Sequence, residues 1–172
     1  TSAMPEALII DACRTPRGIG KVGQGALAEH HPQHLASAVL TALAERNQLK
    51  TDEVDDVVWG CSAQIGRQSR DLGRMALLDA GFDARASGMT LDRFCGSGIT
   101  ATNIAAAQIM SGMEDLVIAG GTEMMSYTTV ARAADGPAMM DAGNLRLRAR
   151  RPQSHQGVCA DAIATLEGIE RE

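Results

Sequence analysis

Aromatic residues are nearly missing from this chain. Trp59, Phe82, Phe94 and Tyr127 are all it has, 2% of 172 residues. A nucleic-acid platform needs aromatic faces on which bases stack, and four scattered rings do not supply one. With aromatics at only 2%, the core must be built from Ala, Val, Ile, Leu and nine Met, which points to close helix–sheet packing through small side chains. Excess positive charge is lacking as well. The formal net charge is −5, so there is no general attraction to nucleic acid or to an anionic membrane. No apolar run approaches the roughly 20 residues of a membrane span. The four cysteines, Cys13, Cys61, Cys95 and Cys159, contain no C-x-x-C pair and no metal-type spacing. Nothing near the N-terminus reads as a signal peptide, and the expected compartment is a reduced cytoplasm. Thr1-Ser2-Ala3 ahead of Met4-Pro5 reads as an expression scar before a natural start.

What is present reads as one sizeable α/β domain. Hydrophobic residues make up 45% of the chain, enough to bury a core at this length. The runs Ala7 to Ala12, Val54 to Cys61, Met89 to Phe94 and Asp115 to Gly121 are short, apolar and β-like. Between them, His34 to Gln48, Asp71 to Ala80 (closed by Gly81) and Gly98 to Met110 carry helical spacing. The last of these is apolar around its whole circumference, which predicts burial on every side. Strands alternating with helices predict a mostly parallel sheet covered on both faces. Beyond Thr122 the chain is Met-rich and Arg-rich without periodicity until a helical pattern returns at Gly157 to Leu166.

Several segments invite a functional reading. Gly18-Ile19-Gly20-Lys21-Val22-Gly23 matches G-x-G-x-x-G, the phosphate turn of dinucleotide folds. Its context fails: Arg14 to Arg17 separate it from the preceding strand, Pro32 blocks an immediate long helix, and no acidic residue follows the next strand to hold a ribose. His30, His31 and His34 lack a completing ligand and read as solvated residues around a helix start. Arg146, Arg148, Arg150 and Arg151 form either a solvated surface or a phosphate-binding loop.

Cys95 carries the most information. It lies in Leu91-Asp92-Arg93-Phe94-Cys95-Gly96-Ser97-Gly98-Ile99, where a strand-like segment gives way to the small-residue helix. A thiol at the first turn of a helix faces unpaired N–H groups and the positive end of the helix dipole, and both favour thiolate. Gly96 and Gly98 leave room for close approach by a backbone or a substrate. The residues alone also allow a buried free cysteine at a strand–helix junction.

Arg93-Phe94-Cys95-Gly96-Ser97-Gly98 resembles the nucleophile segment of the thiolases, the acetyl-CoA acetyltransferase and acyl-CoA C-acyltransferase family. Three further segments agree in order. Ile10-Asp11-Ala12-Cys13-Arg14-Thr15-Pro16 resembles the first strand and its R-T-P turn. Asp115 to Ser126 resembles the A-G-G-x-E-x-M-S segment. His155-Gln156-Gly157-Val158-Cys159-Ala160-Asp161 resembles the H-M-G-x-T-A-E segment of the loop domain. Asp92 stands where that family usually has Asn, with consequences for the field around the thiolate. Gln156 stands where it usually has Met, beside the thioester wall.

The resemblance implies a thiolase-like α/β/α layered fold with a mostly parallel sheet, incomplete in this chain. Residues 1–122 correspond to the N-terminal half and 123–172 to the beginning of an inserted loop domain. It implies that Cys95 attacks an acyl-CoA and that Leu147, His155 and Gln156 lie on the CoA-binding side. The expected partners are acyl-CoA or CoA, the C-terminal half of the same enzyme, and a second copy or more in a homodimer or homotetramer. No cofactor, metal, nucleic acid or membrane span is expected; coenzyme A thioester is the substrate. The family's G-H-P and C-x-G motifs do not occur in these residues, so this chain alone is expected to be inactive. The alternatives are a non-catalytic thiolase-like acyl-CoA-binding subunit, a ketoacyl-synthase-type condensing enzyme, or a redox sensor. The R-T-P and A-G-G-x-E-x-M-S segments favour thiolase over ketoacyl synthase, and no neighbouring cysteine supports the sensor.

Overall fold

A computed structural model describes residues 6–134 and 140–170. The expected start at Met4-Pro5, part of the Met-rich stretch after Thr122, and Arg171-Glu172 lie outside the described residues. The chain divides into two compact units, Thr1–Ala131 and Arg132–Glu172.

The first unit is built on three parallel strands, β1 (Asp56–Gly60), β2 (Ser87–Leu91) and β3 (Val117–Gly121), in the order β2-β1-β3. The central strand pairs Gly60 with Leu91 on one side and with Gly121 on the other, so all three strands end level. Helix α1 (Pro32–Asn47) precedes the sheet, α2 (Leu72–Asp79) joins β1 to β2, and α3 (Ser97–Ser111) joins β2 to β3. Every residue of β1 is buried, as a central parallel strand requires.

The strand period of two sorts β1 between two cores. Val57 and Trp59 pack with Leu40, Leu72, Leu77 and Phe82 from the α1 and α2 side. Val58 packs with Ala101 and Ala105 of α3 on the opposite face. Helices on both sides of a parallel sheet make the expected three-layer α/β/α arrangement. Each fully buried leucine among these contributes about 1.5–3 kcal/mol by leaving water.

Two elements differ from expectation. Residues 7–12 form no strand, and Leu8, Ile9 and Ile10 are 79%, 85% and 75% exposed. Apolar alternation proposes a strand, but only a ladder partner makes one, and no described strand lies beside this segment. It is tethered instead by its polar residue. Asp11 accepts from Arg46 Nη2 at 2.9 Å and from Asn47 Nδ2 at 2.8 Å, at the end of α1. Helix α3 is also not buried all round. Ser97, Ala101 and Ala105 are buried, while Ile99 is 71% exposed, because nothing among the described residues covers its outer face.

After β3 the structure finds helices where the sequence shows no periodicity: α4 (Met125–Ala134) and, in the second unit, α5 (Leu145–Arg150). Helix α5 is announced by its cap, Asn144 Oδ1 accepting from Leu147 N, rather than by an apolar stripe. The unit also holds α6 (Gln156–Glu167), capped by His155. Asp141 receives Arg148 Nε at 2.6 Å and Nη2 at 2.8 Å, and the guanidinium holds its carboxyl below the usual carboxylate range.

Candidate active site

Strand β2 ends at Leu91, so the β segment stops short of Cys95 instead of running into it. Residues 92–96 form a tight turn that delivers the chain into α3, with Gly96 as N-cap. Cys95 therefore sits just outside the first helical turn and is exposed. Neither burial nor a mid-helix position removes it from reactants.

The turn is held by two side chains. Asp92 Oδ1 accepts from Phe94 N at 2.7 Å, an Asx-type turn. Ser97 Oγ accepts from Arg93 N at 2.9 Å and donates to the Phe94 carbonyl at 2.6 Å. Between them Phe94 adopts φ 49°, the left-handed region, which for a residue with a side chain costs about 1–3 kcal/mol. Ser97 is itself fixed by burial, packed where Gly60 ends β1. A Cβ on Gly60 would come within 2.7 Å of the Ser97 carbonyl carbon. Gly98, by contrast, faces open space.

A second polar network locks the neighbouring strand ends. Glu123 Oε2 accepts from Ser62 N at 2.8 Å and Ala63 N at 3.1 Å. The fully buried Gln68 donates to Glu123 Oε1 at 3.1 Å and to the Ala63 carbonyl at 3.0 Å, and accepts from Met124 N at 2.6 Å. Trp59 Nε1 donates to Thr122 Oγ1 at 3.0 Å. Cys61 begins this loop, and its N–H donates to the Leu91 carbonyl. Burial, then the carboxylates of Glu123 and Asp92, push the Cys61 thiol up to about 12. It stays protonated at neutral pH. Cys61 is thus buried beside the end of β1, whereas Cys95, in the turn beyond β2, is exposed.

The other residues singled out in the sequence fall as follows. Leu147 on α5, and His155 and Gln156 at the start of α6, belong to the second unit. His155 Nδ1 accepts from Gly157 N at 3.1 Å, so its ring caps α6. Within the Arg cluster, Arg148 is taken up by Asp141. His31 caps α1 through Nδ1, accepting from Gln33 N at 3.2 Å. Among the described residues no cluster of three or more His, Cys, Asp or Glu side chains is placed to hold a metal ion. None of the described helices is long and apolar enough to cross a membrane. The Gly18–Gly20 stretch lines a cleft of about 720 Å³, with Trp59 and Ile118 in its wall, and Cys95 is not part of that lining.

Sequence reasoning missed the Asx turn and the Gln68–Glu123 network. An aspartate two residues before a turn residue is a signal that could have revealed the first. The second joins side chains 55 positions apart and leaves no local pattern.

With this geometry in hand, the chain compares with known proteins as follows. A family model described as "Thiolase, N-terminal domain" matches residues 7–172. The chain is 46% identical over 124 residues to the 3-oxoadipyl-CoA/3-oxo-5,6-dehydrosuberyl-CoA thiolase of Escherichia coli, covering 72% of this chain and 30% of that protein. It is 33% identical over 169 residues to a 3-ketoacyl-CoA thiolase of Chromohalobacter salexigens, covering 97% of this chain and 41% of that one. The crystal structure of the Bacillus anthracis acetyl-CoA acetyltransferase aligns with a TM-score of 0.63 at 37% identity, over 70% of this chain and 30% of that one. The chain thus spans about a third to two fifths of the length of such relatives.

Proposed function

Because the chain belongs to the thiolase family, we propose that Cys95 is the nucleophile of an acyl-CoA C-acyltransferase that forms or cleaves 3-oxoacyl-CoA. The observation that carries this reading is the exposed Cys95 at the entry to α3, in a turn pinned by Asp92 and Ser97. The Cys95 thiolate attacks the thioester carbonyl and CoA leaves as its thiolate, so an acyl group moves from one sulfur to another. In condensation, acetyl-CoA loses an α-proton and the carbanion takes the acyl group from Cys95. In thiolysis Cys95 attacks the 3-oxo carbonyl of a 3-oxoacyl-CoA, the C2–C3 bond breaks, and the departing carbanion takes a proton to leave as acetyl-CoA. CoA then attacks the acyl-enzyme, and Cys95 leaves as its thiolate.

Both directions need an acid/base partner and oxyanion donors for the thioester oxygens. Removing a single oxyanion donor typically costs about a hundredfold or more in turnover. The 172 residues lack the family's G-H-P and C-x-G motifs. The chain alone is therefore inactive, and turnover belongs to a longer protein that carries a C-terminal half.

The same reading assigns residues 1–122 to the N-terminal half and 123–172 to the beginning of a loop domain. It puts Leu147, His155 and Gln156 on the CoA-binding side, and treats the working protein as a cytoplasmic homodimer or homotetramer in fatty-acid and CoA metabolism. Its test is the covalent intermediate. Incubated with acetyl-CoA, the intact protein gains one acetyl group on Cys95, and Cys95→Ala abolishes it. An adduct elsewhere, or thiolysis of acetoacetyl-CoA by the 172-residue chain alone, contradicts the proposal.

A further inference from the structure

We infer that Asp92 is a positioning residue for Cys95, its carboxylate oxygen holding the Phe94 N–H and with it the turn that presents the sulfur. The inference rests on Cys95 being the nucleophile, as proposed above.

Phe94 is left-handed at φ 49°, a conformation an aromatic residue does not keep unaided. Packing does not hold it there, since Phe94 is 61% exposed. Hydrogen bonds must do so, and the turn has two side-chain sources of them. Ser97 grips the Arg93 amide and the Phe94 carbonyl. Backbone bonds also hold the carbonyls, Gly96 N donating to the Arg93 carbonyl at 3.0 Å and Ser97 N to the Phe94 carbonyl at 3.1 Å. Asp92 grips the Phe94 amide at 2.7 Å. Both peptide groups flanking Phe94 are thereby fixed, and Cys95 follows directly. Ser97 is buried and belongs to the α3 packing, whereas Asp92 is exposed and contributes nothing to either core. Its removal should disturb the turn without disturbing the fold.

The experiment measures alkylation of the chain by iodoacetamide at fixed pH, followed by peptide mass spectrometry, with the exposed Cys159 as internal reference. Asp92→Ala slows Cys95 by about tenfold, the scale of one lost hydrogen bond, and leaves Cys159 unchanged. Asp92→Asn, which keeps an acceptor oxygen, restores the rate to within about twofold, because either side chain closes an Asx turn. In the Phe94→Gly background the clamp has no strain to hold, and Asp92→Ala then slows Cys95 by less than about twofold. Equal rates for the parent and Asp92→Ala overturn the inference, as does failure of Asn to rescue. A loss shared by Cys159, or undiminished in the glycine background, does the same. Iodoacetamide carries no acyl group, so the clamp is read separately from the thiolase chemistry. If this pattern holds while acetyl-CoA leaves Cys95 unmodified in the intact protein, the acyl-transfer reading fails and the clamp stands.

Discussion

Gly60 closes β1 directly against the backbone of Ser97, with space there for a hydrogen and no more. One residue at the end of the central strand therefore sets where α3 begins, and Cys95 is two residues upstream of that beginning. Gly60→Ala forces the helix start away from the strand. Overpacking of this kind costs about 1–3 kcal/mol, read as a lower urea midpoint at unchanged slope. Gly98→Ala is the matched control. It enters open space, so its midpoint should move by no more than about 0.5 kcal/mol.

The Glu123 carboxylate gathers three donors from one loop: Ser62 N, Ala63 N and Gln68 Nε2. Glu123 is itself exposed while Ala63 and Gln68 are buried, so Glu123→Ala leaves the donors of two buried residues without that acceptor. The expected loss is about 1–3 kcal/mol in thermal or urea unfolding. Glu123→Gln retains an acceptor oxygen for the backbone amides and should lose less. Equal losses for the two variants would mean that packing, not hydrogen bonding, is what Glu123 supplies.

His31 gives α1 a pH-sensitive cap. Its Nδ1 accepts a backbone N–H only while the ring is neutral, and burial followed by the nearby Arg67 and His34 charges lowers its pKa, against an opposing pull from Asp79. The unfolded chain thus binds the proton more readily than the folded one. The contribution is complete above the ordinary histidine value of 6.5 and is lost as pH falls through the lower folded value. Unfolding followed from pH 8 to pH 5 should show this slope in the parent, while His31→Asn keeps a cap and flattens it. An unchanged slope in His31→Asn would remove His31 from the account.

The alternating framework of β1, α2, β2, α3 and β3 was legible in the sequence, because apolar periodicity and glycine stops are local signals. Position 95 at the strand-to-helix passage was legible for the same reason. What local pattern cannot convey is partnership. Leu8-Ile9-Ile10 has the composition of a strand and the exposure of a loop, since pairing depends on a neighbour. Ile99 belongs to an apolar helix and still faces outward for want of a cover. Short helices such as α5 rest on a cap and an ion pair, Asn144 and Asp141–Arg148, which leave no hydrophobic stripe to read. The Phe94 strain escaped notice because φ follows from hydrogen bonds that Asp92 and Ser97 make across the turn.

The central claim is that Cys95 is the reactive sulfur, and competition among the four thiols tests it most directly. Exposure alone ranks Cys95 with Cys159, and burial with a thiol held near 12 removes Cys61. Limiting iodoacetamide at neutral pH, with and without acetyl-CoA, should mark Cys95 well ahead of Cys159, Cys13 and Cys61, with acetyl-CoA slowing Cys95 selectively. If Cys159 is marked as fast as Cys95, and acetyl-CoA protects neither, Cys95 is an ordinary surface thiol and the acyl-transfer account is wrong.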